Sequence, residues 1–179
     1  MSILRWLGLG DTRDPSAESG DTETVRRIAA RLEGLPAEKR TFVAAFAYVL
    51  ARVANADLRI DAVEALAMER IVAEAAGLAP AESALVVEIA KSQARLAGGT
   101  ENYVVTREFR RVSTPEQRLS LVDCLYAVAA ADESVTTLES TEIAKVADEL
   151  GLTPPEVVSI RTRYRDKLAV LRKRGDGVN

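Results

Sequence analysis

The chain has 179 residues and is 47% hydrophobic, 28% charged and 4% aromatic, a composition typical of a folded, helix-rich globular protein. Its net charge of −3 gives no overall field that would select nucleic acid or an anionic membrane. Because it has no histidine and a single cysteine, it excludes His-dependent nucleophile systems, zinc sites of the His or Cys type and an internal disulfide, and it leaves a metal only oxygen ligands.

The first predicted elements are a short apolar segment at residues 1–10 and a polar linker at residues 11–24. The apolar segment contains Ile3, Leu4, Trp6 and Leu7 but is too short for a secretory signal with its flanks. The linker is polar and aperiodic, which predicts a flexible connection. The longest apolar stretches beyond it fall short of the roughly 20 residues of a membrane span. We therefore expect core helices and a cytoplasmic protein.

Proline, glycine and capping residues mark the helices of the first half. Phe42, Phe46 and Val49 recur at helical spacing, which predicts one long buried helix. Asp61 and Glu64 stand at capping-box spacing before the next helix. The predicted helices are a short one ending at Gly34, a long one from Pro36, one from Asp61 to Gly77, one from Pro80 to Gly98 and a short one over residues 101–112.

The second half repeats this order of signals. Thr114 precedes a proline at a first helical position, and Thr136 with Glu139 is again a capping box. The predicted helices are one from Thr114, one from Thr136 to Gly151 and a last one from Thr153 that keeps Ile160, Tyr164, Leu168 and Leu171 in line.

A short pattern, A-D-x-x-[IV]-x-x-x-E, occurs twice, at residues 56–64 and 131–139. Each copy follows an apolar helix and leads into a more polar one, and we name these segments the first and the second joint. Leu50 also matches Leu125, and Gly77 matches Gly151. The sequence therefore predicts an all-α protein of about seven helices, built as two related three-helix units at about residues 35–98 and 114–171 around one core.

The duplicated joints, each followed by a helix that ends in a Gly-Leu-x-Pro-x-Glu segment, resemble the TerB-like family. That family includes bacterial tellurite-resistance proteins and the N-terminal domains of some membrane-anchored co-chaperones. The resemblance covers about residues 35–171, and we place the TerB-like helical domain at residues 25–174. It implies a helical, internally duplicated fold and a non-enzymatic cytoplasmic module associated with tellurite resistance and stress. It also directs attention to the acidic residues of the joints and to metal binding.

The joint carboxylates have a structural and a functional interpretation. Asp57 and Asp132 follow apolar helices, where the helix dipole disfavours a carboxylate. Asx turns and capping boxes account for most of the motif and stabilise each helix start by about 1 kcal/mol. If the two joints converge, their carboxylates would form an oxygen site for Ca²⁺, Mg²⁺ or Mn²⁺. The candidate metal ligands are Asp57, Asp61, Glu64, Asp132, Glu133 and Glu139.

Three function classes follow from this reading. We favour a non-enzymatic module that binds a partner protein or a divalent cation through its joints. A divalent-metal sensor or buffer is the alternative. A carboxylate- and metal-dependent hydrolase comes last, because aromatic residues are few and histidine is absent. Cys124 lies in an apolar helical run and is interpreted as a buried structural thiol, so no catalytic residue is assigned.

The two ends of the chain bear on its partners. Basic residues cluster near the C-terminus, but those at 161, 163 and 165 point in different directions around a helix, and no aromatic platform accompanies them. The sequence therefore does not favour nucleic-acid binding. At the other end, Ile3, Leu4, Trp6 and Leu7 suit peripheral contact with a membrane interface or docking on a partner.

Overall fold

A computed structural model describes residues 27–54, 62–93, 101–131 and 135–168 of the chain. These residues form eight α-helices, close to the seven predicted, and no strand beyond one isolated bridge. Residues 27–33 are helical and are called α1. The others are α2 (Ala37–Ala54), α3 (Ala62–Ala76), α4 (Pro80–Gln93), α5 (Glu101–Val112), α6 (Pro115–Ala131), α7 (Thr137–Leu150) and α8 (Pro154–Arg163), followed by a 3-10 turn, Arg165–Lys167.

Two central helices, α2 and α6, hold the fold together. Helix α2 packs against α4, α5, α6 and α7, whereas α6 packs against α2, α3, α7 and α8. The predicted apolar stripe of α2 is buried, and the rings of Phe42 and Phe46 meet Phe109 of α5 at centroid distances of 5.1 and 6.1 Å. Burying one such side chain contributes about 1.5–3 kcal/mol. The all-α prediction is confirmed.

The predicted helix ends are also present among the described residues. Gly77 and Gly151 adopt positive φ values of 61° and 77°, the left-handed conformation that closes a helix most cheaply when no Cβ is present. Pro80 and Pro154 each begin the following helix, where a missing N–H is harmless. These matched ends support the duplication, which stays a prediction.

The last predicted helix is too long. Helix α8 ends at Arg163, and Leu168 is extended, with φ −73° and ψ 116°. The reason is a contact remote in sequence: the backbone N–H of Val135 donates to the carbonyl oxygen of Lys167 at 2.8 Å. A continuing α-helix would have used that carbonyl for its own ladder and carried Leu168 away from Val135. Leu171 lies outside the described residues.

None of the described helices is both long enough and apolar enough to cross a lipid bilayer. The N-terminal segment and the linker predicted at residues 1–10 and 11–24 lie outside the described residues.

Candidate functional site

The second joint is the part of the predicted site that the structure describes in most detail. Helix α6 ends at Ala131 and α7 begins at Thr137, with Thr136 as its N-cap. The N–H of Thr136 donates to Glu139 Oε2 at 2.7 Å, and the N–H of Glu139 donates to Thr136 Oγ1 at 3.2 Å. This confirms the predicted capping box, and it commits one oxygen of the Glu139 carboxylate to the backbone.

Val135 holds the second joint in place through its buried side chain and a backbone hydrogen bond. Its side chain is 1% exposed, as expected for a residue that closes the core. Its hydrogen bond to Lys167 belongs to a parallel bridge with Leu168, which is 4% exposed. We name residues Tyr164–Leu168 the C-terminal strap, because they tie the second joint to the end of α8.

Tyr164 anchors the C-terminal strap to α6. Its hydroxyl donates to Asp123 Oδ1 at 2.8 Å, and its ring stacks on Tyr126 with centroids 5.7 Å apart. The guanidinium of Arg163 also reaches Asp123, at 3.2 Å. Burial raises the pKa of Tyr164, and the neighbouring Asp123 carboxylate raises it further. The hydroxyl is therefore a neutral donor at neutral pH.

Most of the predicted metal ligands lie outside the described residues. Those are Asp57, Asp61, Asp132 and Glu133. The backbone of Glu64 belongs to α3, but its side chain is outside the description. Glu139 is the described member of the set. Among the residues that the structure describes, no group of three or more Asp, Glu or Cys side chains could hold a metal ion. Convergence of the two joints stays a prediction.

A charged cluster that the sequence analysis missed connects α2, α5 and α7. Arg52, whose side chain is 7% exposed, donates to Glu142 Oε1 at 2.6 Å and to Glu149 Oε2 at 2.7 Å. It also donates to the hydroxyl of Thr106, which is fully buried, at 3.1 Å. Lys145 adds a cation to Glu142 at 3.3 Å. We name Arg52, Glu142, Glu149 and Thr106 the Arg52 cluster.

The charges of the Arg52 cluster stabilise one another. Burial alone would lower the pKa of Arg52, but hydrogen bonds to Glu149 and Glu142 outweigh it and raise that pKa. Burial likewise opposes the charge of Glu142, yet Arg52 and Lys145 hold its pKa below the usual value. Arg52 and Glu142 are therefore both charged. The cluster joins the helix before the first joint to the helix after the second.

The sequence did carry a signal for these contacts. Arg52 is the one charge in the apolar half of α2, and Asp123 is the one charge in the apolar run of α6. A lone charge on a buried helix needs a partner, because an unpaired ion in the core is costly. The partner itself is not visible in the sequence.

Cys124 is buried as predicted. Its side chain is 0% exposed, and burial together with the adjacent Asp123 raises its pKa to about 12. A thiol of this kind is neither a nucleophile nor a metal ligand at neutral pH.

Comparison with known protein families decides the relationship. The family model described as tellurite resistance protein TerB matches residues 42–162, about two thirds of the chain. The chain belongs to the TerB family.

The TerB match begins inside α2 and ends inside α8, so it includes both joints and the Arg52 cluster. The C-terminal strap lies just beyond it. Membership confirms the resemblance of the duplicated joints and associates the module with tellurite resistance. No curated protein and no solved structure matches the chain.

Proposed function

We propose that this TerB protein is a non-enzymatic module that acts in tellurite resistance by binding a partner protein at its second joint. The support is the form of that joint. Its backbone is held by a capping box and by the C-terminal strap, while Leu138 in the first turn of α7 is 78% exposed. A large apolar side chain held on a rigid, acidic segment loses little conformational freedom on binding.

The charged side chains of the fold support a binding role over a catalytic one. Arg52 and Asp123, the charges in the apolar parts of the two central helices, are engaged in structural contacts. Cys124 is a buried thiol with a raised pKa. The residues that remain in solvent around the second joint suit recognition, for which exposed apolar groups beside charges are typical.

The test compares two exposed apolar side chains. Leu138→Glu and Val158→Glu introduce the same change, on α7 at the joint and on α8 away from it; Val158 is 62% exposed. Tellurite tolerance is measured in cells that depend on the chain, and circular dichroism checks that both variants are folded. We expect Leu138→Glu alone to weaken partner binding by at least about tenfold, which is about 1.4 kcal/mol, and therefore to lower tolerance. Equal tolerance in both variants contradicts the proposal.

A divalent cation is the second candidate ligand, bound by Asp57, Asp61, Glu64, Asp132, Glu133 and Glu139 as Ca²⁺, Mg²⁺ or Mn²⁺. What favours it is the capping geometry: Glu139 uses Oε2 for the backbone, and among the described residues Oε1 has no hydrogen-bond partner. Carboxylate oxygens are the ligands that these hard cations prefer.

Thermal unfolding tests the cation directly. At a concentration one hundred times its dissociation constant, a bound cation should stabilise the protein by about 2.7 kcal/mol. The shift should vanish in an Asp57→Asn/Asp132→Asn double variant. A wild type that does not respond to any of the three cations, or a double variant that responds equally, rules the site out.

In this proposal the module acts in the cytoplasm, and the segment with Ile3, Leu4, Trp6 and Leu7 supplies peripheral membrane contact. An amphipathic segment this short binds membrane weakly by itself. Co-sedimentation of the full chain with liposomes should therefore be measurable but fall several-fold in Trp6→Ser. Sedimentation that is unchanged in Trp6→Ser removes this part of the proposal.

A further inference from the structure

One face of α5 carries three arginines and a tyrosine in solvent. Tyr103, Arg107, Arg110 and Arg111 follow the spacing of a single helical stripe, and all four are exposed. The opposite face carries Phe109, which is fully buried. Helix α5 therefore packs by one side and presents these four residues, which we name the basic face, on the other.

The positive charge of the basic face is only partly neutralised. Arg111 is paired with Glu108, at 2.9 and 2.6 Å. Arg107 contributes electrostatically to the same carboxylate and helps to hold the pKa of Glu108 low, after the hydrogen bond from Arg111 and against burial. Within the described residues, neither Arg107 nor Arg110 forms a side-chain hydrogen bond or an ion pair.

The side chain of Arg110 is exposed and extends to the end of α7. Its guanidinium lies against Gly151 so closely that a Cβ at Gly151 would be 2.6 Å from Nη2. The missing side chain of Gly151 therefore makes room for it.

The chain contains a segment of the matching charge. Residues 11–24 hold five carboxylates, Asp11, Asp14, Glu18, Asp21 and Glu23, against one arginine, Arg13. Arginine binds carboxylates with two parallel hydrogen bonds.

The start of the described chain puts the acidic segment within reach. Arg27 is fixed by its Nε–H, which donates to Glu88 of α4 at 2.9 Å, and α4 and α5 both pack on α2. The stretch from Asp14 to Arg27 can extend over about 40 Å. That exceeds the ~30 Å diameter of a small domain, so the length of the chain does not prevent contact.

We propose that the basic face of α5 is a docking surface for the acidic segment 11–24 of the same chain. Arg107 and Arg110 bind its carboxylates, and the ring of Tyr103 packs beside them. This contact goes beyond the proposed function of the second joint.

Paramagnetic NMR on the full chain tests the contact. A nitroxide is attached at Ser16→Cys; the buried Cys124, with its pKa raised to about 12, does not react at neutral pH. At low salt we expect amides of α5 to lose at least about half of their intensity. The loss should disappear near 1 M salt, where charges are screened beyond about 3 Å.

Two matched charge reversals distinguish the basic face from other arginines. Arg107→Glu/Arg110→Glu should abolish the intensity loss on α5. Arg161→Glu/Arg165→Glu makes the same change in net charge at exposed positions of α8 and the 3-10 turn, and it should leave the loss intact. If the first variant does not fold, amide substitutions at Asp14, Glu18 and Asp21 remove the same contact from the other side.

Several results would overturn the proposal. They are undisturbed α5 amides at low salt, a loss that salt does not relieve, and an equal effect of both charge reversals. The proposal also fails if the α5 amides lose the same intensity in a mixture of two samples, one spin-labelled but without ¹⁵N and the other ¹⁵N-labelled but without a spin label. In that mixture the contact lies between two copies of the chain.

Discussion

Replacing Arg52 by methionine tests how much the Arg52 cluster stabilises the fold. Methionine keeps most of the aliphatic stem that packs in the core but removes the charge and the donors. Glu142 and Glu149 would then lose the cation that lies 2.6 and 2.7 Å away, and the hydroxyl of Thr106 would lose a donor.

The magnitude follows from how far each partner is buried. Breaking a fully buried ion pair on one side costs about 3–5 kcal/mol. Here Glu142 and Glu149 keep 27% and 18% of their side-chain exposure, and Glu142 keeps Lys145 at 3.3 Å. Partial rehydration should reduce the loss to about 2–3 kcal/mol. For a chain of this size that lowers Tm by about 4–12 °C.

Urea denaturation followed by far-UV circular dichroism measures the change. The matched control is Lys39→Met on the same helix, which removes a Lys39–Glu82 pair at 2.6 Å whose lysine is 45% exposed. That exposed pair should cost only about 0–1 kcal/mol. In Arg52→Met/Glu142→Gln/Glu149→Gln no buried charge is left without a partner, and Lys145, which loses Glu142, is 61% exposed, so about half of the loss should return. A loss in Arg52→Met no larger than in Lys39→Met refutes the reasoning.

Three further outcomes are expected. Gly77→Ala and Gly151→Ala should each cost about 1–2 kcal/mol, since both glycines have positive φ; in urea denaturation the two should agree within about 0.5 kcal/mol, because the contact at Gly151 is the flexible end of Arg110. Tyr164→Phe should lower the free energy of unfolding by about 1–2 kcal/mol. It should also speed hydrogen exchange at the amide of Val135, which donates to the strap. Unchanged exchange would mean that the strap does not hold the joint. The pKa of Glu142 is lower in the folded than in the unfolded protein. Its contribution to the free energy of unfolding is therefore present above about pH 4.5 and is lost as the pH falls below that value. In Glu142→Gln the free energy of unfolding should fall less steeply as the pH is lowered below about 4.5. The same acid dependence in the variant and the wild type contradicts this.

The helix boundaries could be predicted because their causes are local. Thr136 and Glu139 satisfy each other three residues apart. Gly151 ends α7 through its own backbone freedom. The buried stripe of α2 follows from helical periodicity alone. Each of these features depends on neighbours that the sequence places side by side.

The remaining contacts depend on residues far apart in the chain. Arg52 meets its partners 90 and 97 residues later, and Tyr164 meets Asp123 41 residues earlier. A one-dimensional pattern indicates that a lone buried charge needs a partner, but not which residue the fold will bring to it. For the same reason the end of α8 was misplaced, because the strap is fixed by Val135 and not by its own sequence.

These long-range contacts connect the helix that leads into the first joint with the helix that follows the second joint. Arg52 lies in the last turn of α2, the helix that leads into the first joint, and its carboxylate partners lie on α7, the helix that the second joint opens. Tyr164 holds the other side of the second joint to α6. A movement of α2 relative to α7 would have to shift a nearly buried arginine relative to its two carboxylates, and packed cores resist such gradual movement.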